Sequence, residues 1–357
     1  MLIFVNARFV TQELSGVQRY AVEISKEIKK QYPGAIFLSP KNILNKELSD
    51  LLDIRIIGTN SGHIWEQLDL FFYLKKFKRK KSFLINLANT APLMYSNNIL
   101  VIHDLAPFKS DKWNSSLFKM GYRFLMPHIA SKAKHLFTVS ETMKKEIIKI
   151  LNISESKIDI TYNGLPEFFL TQRAVKIVKQ KIILAVGSIN KRKNYERLIR
   201  SFIKFADQDY KMIIVGKHNE IYSNDTIIQE LISANKNIEL LTTNDDKALM
   251  ELYAASEIFI CLSNYEGFCI PILEALYFNC KIICSDLEVF HEIYDSHVNY
   301  TDHTNMDAIV DSLNLCIKKK QINVDEISKL EEKYNYKNGA RIILDFVNKK
   351  TILQAGT

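Results

Sequence analysis

The chain has 357 residues, of which 47% are hydrophobic and 25% are charged, and its formal net charge is +8. This composition is typical of a soluble globular protein rather than a disordered or membrane-spanning one, and the apolar runs are shorter than the roughly 18 residues that a membrane helix needs. The length suits two domains better than one hydrophobic core. Met1–Val5 leads directly into polar residues, so it predicts a first strand rather than a signal peptide, and hence a cytoplasmic protein.

Short apolar runs alternate with amphipathic segments along the chain, which is the pattern of a doubly wound α/β fold. Continuous apolar runs indicate parallel strands that are covered on both faces. The predicted strands are Leu2–Val5, Ala35–Leu38, Ile54–Ile57, Phe83–Asn86, Asn98–Ile102, His135–Val139, Ile158–Thr161, Ile182–Val186, Lys211–Val215, Ile238–Leu240, Ile258–Leu262 and Lys281–Cys284. The predicted helices between them include Gly16–Gln31, Glu141–Leu151, Asn194–Asp207 and Asp246–Ala254.

A polar, charged segment at Glu167–Lys181 separates two series of strands. It follows the Asn-Gly turn at Asn163 and Gly164, and from Ile182 the chain repeats the strand–loop–helix order that opens a Rossmann domain. The sequence therefore predicts two Rossmann-like domains, one over residues 1–170 and one over residues 171–335.

The run EGFCIPILE starts at Glu266 and ends at Glu274, between a predicted strand and a helix with Pro271 in its first turn. Ligands of open α/β sheets bind at such loops, where the free amides of the helix favour anions. Two carboxylates beside an anion site suit a nucleotide sugar, with one carboxylate on sugar hydroxyls and the other on the ribose diol. A solvated loop glutamate and a glutamate placed for the helix dipole are the alternative.

The pattern E-G-F-x-x-P-x-x-E-A, which ends at Ala275, resembles the signature of the retaining family-4 glycosyltransferases of the GT-B fold. This resemblance extends from about residue 3 to about residue 295. It implies two Rossmann-like domains that face each other across a cleft, an N-terminal one for the acceptor and a C-terminal one for the nucleotide sugar. It also implies that the last helix, residues 336–357, crosses back to the N-terminal domain. Further landmarks follow in the family's order: Ser15–Tyr20, Val101–Asp104, Phe137–Ser140, Tyr162–Gly164 and Val186–Asn194.

The loop after the strand Ile182–Val186 carries Gly187, Ser188, Arg192 and Lys193. Gly187 lets the backbone approach a phosphate, and the two cations can bind the diphosphate of a leaving nucleotide. The resembled family has an arginine directly after this glycine, where this chain has Ser188. Either Arg192 replaces that arginine or the diphosphate is held with less charge, and a basic loop on a basic protein is the plain alternative.

Gly16 and His103 are the candidates for donor contacts in the first domain. Gly16 begins a helix after a loop, an arrangement that favours anions, and the resemblance places it near the donor phosphates. The resemblance implies that His103, directly after a strand, contacts the donor sugar; a buried histidine bonded to the backbone is the alternative. In the second domain it implies donor contacts from Gly267, Phe268, Cys269 and Ile270 as well as Glu274.

The resemblance further implies front-face displacement, with Glu266, His103 and Lys193 as the catalytic residues and without a metal or another cofactor. Glu266 would position the sugar and stabilise positive charge at its anomeric carbon. Cys280 and Cys284 lack a second Cys/His pair at zinc-site spacing. We therefore expect all five cysteines to be buried free thiols.

The segment Gly-His-Ile-Trp-Glu-Gln resembles a subgroup that adds mannose or a related deoxyhexose to bacterial surface polysaccharides. Its residues His63, Trp65, Glu66 and Gln67 are candidates for acceptor binding; a helix start with Trp65 in the core is the alternative. The prediction is a transferase that moves mannose from GDP-mannose to a lipid-linked oligosaccharide. Donors such as dTDP-rhamnose, a UDP-hexose or GDP-fucose, an inactive sugar-binding subunit, and a phosphorylase or epimerase remain open.

A basic run, Lys75–Lys81, follows the apolar run Leu70–Leu74. Such a run can bind anionic lipid at about 1 kcal/mol per basic residue, whereas cations at the end of a helix are the alternative. Nucleic acid is not expected as a partner, since no recognised binding motif accompanies the charge. The prediction is a peripheral protein on the inner face of the plasma membrane.

Overall fold

The computed structural model describes residues 2–77, 82–110, 113, 116–171, 178–205, 207, 209–216, 226–243, 245–319 and 324–353. The chain divides into two compact units. Unit 1 comprises Met1–Lys109, Ser116–Pro166 and Tyr334–Thr357, and unit 2 comprises Ser110–Ser115 and Glu167–Lys333. The sequence-based domains, residues 1–170 with 336–357 and residues 171–335, differ from these units at their boundaries and in the segment 110–115.

Unit 1 contains a parallel sheet of seven strands. Its strands are β1 (Leu2–Asn6), β2 (Ile36–Ser39), β3 (Arg55–Ile56), β4 (Ser82–Asn86), β5 (Asn98–Ile102), β6 (His135–Thr138) and β7 (Ile158–Ile160). Their order is β3-β2-β1-β4-β5-β6-β7, and β1 pairs with β4 so that Val5 lies opposite Ile85. The strand order reverses between β1 and β4, and ligands of doubly wound sheets bind at the carboxyl ends of the strands at such a switch point.

Unit 2 repeats this topology with six parallel strands. Its strands are β8 (Gln180–Val186), β9 (Lys211–Val215), β10 (Ile238–Leu241), β11 (Ser256–Cys261), β12 (Lys281–Ser285) and β13 (Asn299–Thr301). The order β10-β9-β8-β11-β12-β13 places the switch point between β8 and β11. All twelve predicted strands are present, whereas β13 was missed because its Asn-Tyr-Thr sequence offers no apolar run.

Helices cover both sheets and supply the connections between the strands. They are α1 (Gly16–Gln31), α2 (Lys46–Leu52), α3 (Gly62–Ile64), α4 (Phe71–Lys75), α5 (Ala106–Lys109), α6 (Ser116–Lys132), α7 (Glu141–Leu151), α8 (Glu167–Thr171), α9 (Tyr195–Lys204), α10 (Thr226–Ser233), α11 (Asp246–Ala255), α12 (Ile270–Tyr277), α13 (Glu288–Tyr294), α14 (Met306–Lys318), α15 (Val324–Lys333) and α16 (Tyr336–Leu353). A π-helical segment, Trp65–Leu70, joins α3 to α4. Among the described residues, no helix is both long and apolar enough to cross a membrane.

The last helix, α16, packs against α1 within unit 1. The Tyr336 ring meets the Tyr20 ring at 6.0 Å between centroids. A Cβ on Gly164 would lie 2.6 Å from the Cα of Asn335, so the Asn-Gly turn predicted at this position needs a glycine for the chain to return here. The return of the last helix to the first domain, which the resemblance implied, is therefore present.

Candidate functional site

The loops that follow β8 and β11 leave the same edge of the sheet in unit 2, at its switch point. The loop after β8 carries Gly187 and Lys193, and the loop after β11 carries Glu266. Because β8 and β11 are neighbours in parallel register, residues more than seventy positions apart in the sequence meet here.

Glu266 forms ion pairs with both basic residues of the opposite loop. The Lys193 Nζ lies 2.6 Å from its Oε1, and an Arg192 guanidinium nitrogen lies 2.9 Å from its Oε2. Only 8% of the Glu266 side chain is exposed. Burial by itself would raise the pKa of Glu266, but the charges of Arg192 and Lys193 outweigh it and hold that pKa at about 2. Burial lowers the pKa of Lys193, but the Glu266 carboxylate together with Cys269 and Cys261 raises it above its usual value, so all three groups are ionised at neutral pH.

The two loops are fixed to each other by backbone hydrogen bonds. Residues Lys191–Lys193 form one 3-10 turn, and the Asn190 side chain accepts from the Lys193 amide at its start. The Asn264 amide donates to the Arg192 carbonyl at 2.8 Å. The Arg192 guanidinium in turn donates to the Tyr265 carbonyl at 2.8 Å. The position of each cation thus follows from the backbone of both loops.

Gly187 lies where the Lys193 side chain passes over the backbone. Its φ is +145°, and a Cβ there would lie 3.2 Å from the Lys193 Cε. The Gly187 carbonyl accepts from the Tyr195 hydroxyl at 2.8 Å and leaves no room for a side chain at Gly216, whose Cβ would lie 2.1 Å from it. Ser188, next to it, is exposed. The close passage of Lys193 is a reason for a glycine here that the sequence did not indicate, and the approach of a phosphate to Gly187 stays a prediction.

The helix α12 presents the remaining part of the EGFCIPILE motif. Gly267, Phe268, Cys269 and Ile270 are buried, and Cys269 begins the helix in the left-handed region with φ 73°. The Tyr294 hydroxyl donates to the Cys269 carbonyl at 2.7 Å and fixes this turn.

Glu274, in the same helix, is buried at 4% exposure. The Tyr253 hydroxyl donates to its Oε2 at 2.8 Å. Burial and the neighbouring Glu274 charge raise the pKa of Tyr253 well above its usual value, so the phenol remains a donor. The carboxylate is therefore held in one orientation by a partner that the sequence did not indicate.

Two thiols lie beside the ion pairs. The Sγ atoms of Cys261 and Cys269 are 3.6 Å apart, and the Ser263 hydroxyl lies 3.4 Å from the Cys261 sulfur. The hydrogen bond with Cys269 and the charge of Lys193 lower the pKa of Cys261 to about 7 against the effect of burial. All five cysteines are buried and free, as the sequence predicted.

In unit 1, His103 follows β5 and is buried. Its Nε2 donates to the Leu87 carbonyl at 2.8 Å, and its backbone amide donates to the Asn89 side chain at 2.7 Å. Burial lowers the pKa of His103, so the ring is neutral and its Nδ1 carries the lone pair. The Nε2 atom is thus bonded to the backbone, as in the alternative of a buried structural histidine. The Nδ1 atom can accept a hydrogen bond. Gly16 is the first residue of α1, as predicted, and a Cβ at this position would meet no atom within 4 Å.

The predicted acceptor segment is largely buried, whereas its sequence suggested a surface for binding a sugar. Trp65 is fully buried in the core of unit 1 and donates to the Ile57 carbonyl at 2.7 Å. It cannot offer its face to a sugar in this conformation, because β1, β2 and β4 residues pack around it. The prediction of an aromatic sugar platform here is wrong, and the alternative of a core tryptophan is the one observed.

Glu66 is fully buried at the switch point of unit 1, where it pairs with Arg8 at 3.0 Å. Thr90 donates to the same Glu66 oxygen at 2.9 Å, and Asn6 does so at 3.3 Å. Gln67 bonds to the backbone at Ala91 and Leu93. His63 remains exposed to solvent, although partial desolvation of its ring and the charge of Arg8 lower its pKa. Of the four candidates, His63 is thus the one that is exposed to solvent.

The basic run Lys75–Lys81 is described only as far as Phe77; residues 78–81 lie outside the described part of the chain. Lys75 and Lys76 end the helical stretch that starts at Gly62. The same stretch carries three exposed apolar residues at intervals of four, Ile64 at 61%, Leu68 at 48% and Phe72 at 57%. We call these three residues the apolar stripe.

Comparison with known proteins finds a family match in the C-terminal half of the chain. Residues 169–338 match the model of the family described as glycosyl transferases group 1. The match begins in α8 and ends in α16, and it includes Glu266, Glu274 and both cations.

Two curated relatives are glycosyltransferases by name. The chain is 30% identical over 229 residues to the O-antigen chain mannosyltransferase RfbU of Salmonella typhimurium, which covers 64% of this chain and 63% of that protein. It is 27% identical over 214 residues to a Campylobacter jejuni N-acetylgalactosaminyltransferase whose name specifies a diphospho-undecaprenol acceptor, with 59% of this chain and 53% of that protein covered. The matches span less than two thirds of either relative.

Solved structures share the fold at low identity. The Anabaena HepE structure with UDP and glucose gives a TM-score of 0.73 at 14% identity, and covers 97% of this chain and 99% of that one. The structure of WaaG, a glycosyltransferase of lipopolysaccharide biosynthesis, gives a TM-score of 0.63 at 14% identity, with 97% and 95% covered. The predicted fold class, two Rossmann-like domains of the GT-B type, is confirmed.

Proposed function

We propose that this protein is a retaining hexosyltransferase that transfers mannose from GDP-mannose to a lipid-linked oligosaccharide during surface polysaccharide synthesis. The observation that carries the proposal is the pairing of Glu266 with Lys193 and Arg192 at the switch point, within the part of the chain that matches the glycosyl transferases group 1 family. Mannose is chosen because RfbU and further relatives are named as mannosyltransferases. A lipid-linked acceptor is chosen because the name of the Campylobacter relative specifies one.

In the proposed reaction, an acceptor hydroxyl attacks the anomeric carbon on the face from which the nucleoside diphosphate leaves. The new C–O bond forms as the bond to phosphate oxygen breaks, and the hydroxyl proton passes to the leaving phosphate. Lys193 and Arg192 neutralise the charge that develops on that phosphate, in a buried setting where such charges interact strongly. Glu266 stabilises the positive charge at the anomeric carbon. The proposal needs no metal ion and no other cofactor.

The ion pairs imply that Glu266 changes its partners when the donor binds. A diphosphate that binds Lys193 and Arg192 competes with Glu266 for the same donors, since both cations contact its carboxylate. Binding would thus turn the carboxylate from the cations towards the sugar. The Nδ1 atom of His103 would accept a hydrogen bond from a sugar hydroxyl, which is consistent with a neutral imidazole ring.

The direct test is a screen of nucleoside diphosphates by thermal shift, followed by transfer assays with the matching sugar. A ligand at 100 times its dissociation constant adds about 2.7 kcal/mol to the stability of the folded state, so the correct base should be evident. We expect GDP to give the largest shift, and the product to keep the anomeric configuration of the donor. A larger shift with UDP or dTDP would exclude GDP-mannose, and no shift with any nucleotide would favour an inactive sugar-binding subunit.

Lys193→Ala and Arg192→Ala should each weaken diphosphate binding and turnover. A charge-assisted hydrogen bond is worth roughly 1.5–3 kcal/mol, which corresponds to about tenfold to a hundredfold in affinity. We expect similar losses for the two variants, because both cations contact the same carboxylate. Calorimetry and initial rates measure the effect, and the exposed neighbour Lys191→Ala is the control. A neutral Arg192→Ala would mean that the site uses one cation and that Arg192 does not compensate for Ser188.

Membrane binding is proposed for the helical stretch that ends in Lys75 and Lys76. The apolar stripe can enter the interface while the basic run binds anionic headgroups. Changing four lysines of Lys75–Lys81 to Gln should lower partition onto anionic vesicles by about three decades, at about 1 kcal/mol each. High salt should have the same effect, since the Debye length falls to about 3 Å at 1 M.

The triple change Ile64→Ser, Leu68→Ser and Phe72→Ser tests the apolar stripe separately. It should reduce binding to vesicles even at high salt, whereas Leu315→Ser, at an exposed apolar position in unit 2, should have no effect. Co-sedimentation that is equal for wild type, lysine variant and stripe variant would refute membrane binding by this surface.

A further inference from the structure

We propose that Cys261, Cys269 and Glu266 form a binding site for a thiophilic divalent cation such as Zn²⁺, and that the bound ion inhibits the protein. The two Sγ atoms and a Glu266 oxygen all lie within 4.8 Å of one another, and the three residues are buried. The ion would bind to the carboxylate that stabilises the anomeric carbon in the proposed transfer.

The spacing of the sulfurs fits tetrahedral coordination. With Zn–S bonds of about 2.3 Å, two thiolates on a tetrahedral zinc ion are separated by about 3.8 Å. The Cys261 and Cys269 sulfurs are already 3.6 Å apart. Only a small outward movement of the sulfurs is needed, and a carboxylate oxygen with a hydroxyl or water completes a set of ligands typical of zinc.

The fold holds both thiols in place. Cys261 is the last residue of β11, and Cys269 begins α12 with a left-handed backbone, φ 73°. That conformation is unfavourable for a non-glycine residue and persists only where the surroundings impose it. The Tyr294 hydroxyl, bonded to the Cys269 carbonyl, is one such restraint. The sulfurs are therefore pre-organised by elements that do not depend on an ion.

The charges of the site also allow a divalent ion. From the fully protonated pair of thiols, one divalent cation displaces two protons, so the net charge of the cluster stays the same although Lys193 and Arg192 lie next to Glu266. The release of two protons means that affinity rises with pH. A Glu266 oxygen bound to the ion is no longer available to a sugar, and this inhibitory consequence, unlike binding itself, rests on the proposed function.

The test is a titration of the full-length, untagged and metal-free chain with Cd²⁺, in a non-thiol phosphine reductant. We expect one ion per chain, with the ultraviolet charge-transfer absorption of thiolate–cadmium bonds. Cys261→Ala and Cys269→Ala should each lower the affinity by more than about a hundredfold, since even outer-shell partners are worth tenfold to a hundredfold. Cys316→Ala removes a buried thiol elsewhere in unit 2 and should leave binding unchanged. Tight binding that survives both cluster variants overturns the site.

A second measurement on the wild-type chain does not depend on whether the variants fold. X-ray absorption of the zinc-loaded chain should show two sulfur ligands at about 2.3 Å. A shell without sulfur, or the absence of bound zinc, overturns the proposal.

The inhibitory effect is tested by the transfer assay. Zn²⁺ should inhibit the wild-type chain and the Cys316→Ala variant equally, and the Cys261→Ala variant, which keeps the donor-contact residue Cys269, should resist it. If no nucleotide sugar supports transfer, the absorption measurements still decide the metal site, so its failure is distinguishable from failure of the proposed function.

Discussion

Glu266→Gln is expected to lower turnover by orders of magnitude while nucleoside diphosphate affinity is retained. The amide keeps the shape of the side chain but loses the charge that stabilises the anomeric carbon in the transition state. Diphosphate binding depends on Lys193 and Arg192, which the substitution leaves in place and frees from competition. Single-turnover rates with the donor found by the screen, together with calorimetry of the diphosphate, separate the two effects. Turnover within about threefold of the wild-type value would mean that Glu266 is a loop carboxylate without a catalytic role.

The same variant should also be less stable, and this effect needs its own control. Removing one partner of a buried ion pair typically costs about 3–5 kcal/mol. The folded pKa of Glu266, about 2, lies below its ordinary value of 4.5, so its contribution to stability is full above pH 4.5 and is lost as the pH falls towards 2. The stability difference between wild type and variant should shrink over that range.

Glu257→Gln is the matched control for the loss of an ion pair. Glu257 pairs with Lys281 at 2.9 Å in the same unit, outside the switch-point cluster. The Glu257→Gln variant should be less stable than the wild type but should keep its turnover. A parallel loss of turnover in Glu257→Gln would mean that the effect of Glu266→Gln is only structural.

Glu274→Ala is expected to weaken nucleoside diphosphate binding by about tenfold to a hundredfold, since a hydrogen bond to a charged group is worth roughly 1.5–3 kcal/mol. In the proposed role, Glu274 accepts hydrogen bonds from the ribose hydroxyls of the donor. The Tyr253 hydroxyl bonds to one of its oxygens and orients the carboxylate. Calorimetry with the nucleoside diphosphate and with its base-matched 2′,3′-dideoxy analogue measures the effect. The dideoxy analogue should bind wild type and Glu274→Ala equally.

Tyr253→Phe separates orientation of Glu274 from direct binding. It removes the hydrogen bond to Glu274 and keeps the ring, which packs against Phe259 and Phe278. We expect a smaller loss of affinity than in Glu274→Ala. If Glu274→Ala lowers only the melting temperature and leaves affinity unchanged, the carboxylate serves the packing of α12 and the ribose role is refuted.

The positions of the strands and of the loop motifs could be predicted from the sequence for a simple reason. Both faces of each sheet are covered, so the strands are continuous apolar runs that stand out from polar loops. The EGFCIPILE motif is local, and its place after β11 and at the start of α12 is a property of neighbouring residues. The family resemblance and the two-domain fold followed from these local features.

The geometry of the site could not be predicted, because it depends on strand order. Only the adjacency of β8 and β11 brings Arg192 and Lys193 to Glu266, and nothing in the local sequence states which strands are neighbours. The partners Tyr253 and Arg8 were missed for the same reason, since each meets its glutamate from a distant segment.

The sequence by itself determined the fold class, the order of the elements and the identity of the motif residues, because periodicity and local motifs are properties of residues that are close together in the chain. The tertiary structure alone decided which of these residues form ion pairs with each other and which are buried. It placed Trp65 in the core, where burial of a large apolar ring outweighs its use at a surface. It also brought two thiols from the ends of a strand and a loop to 3.6 Å, a distance that no spacing in the chain encodes.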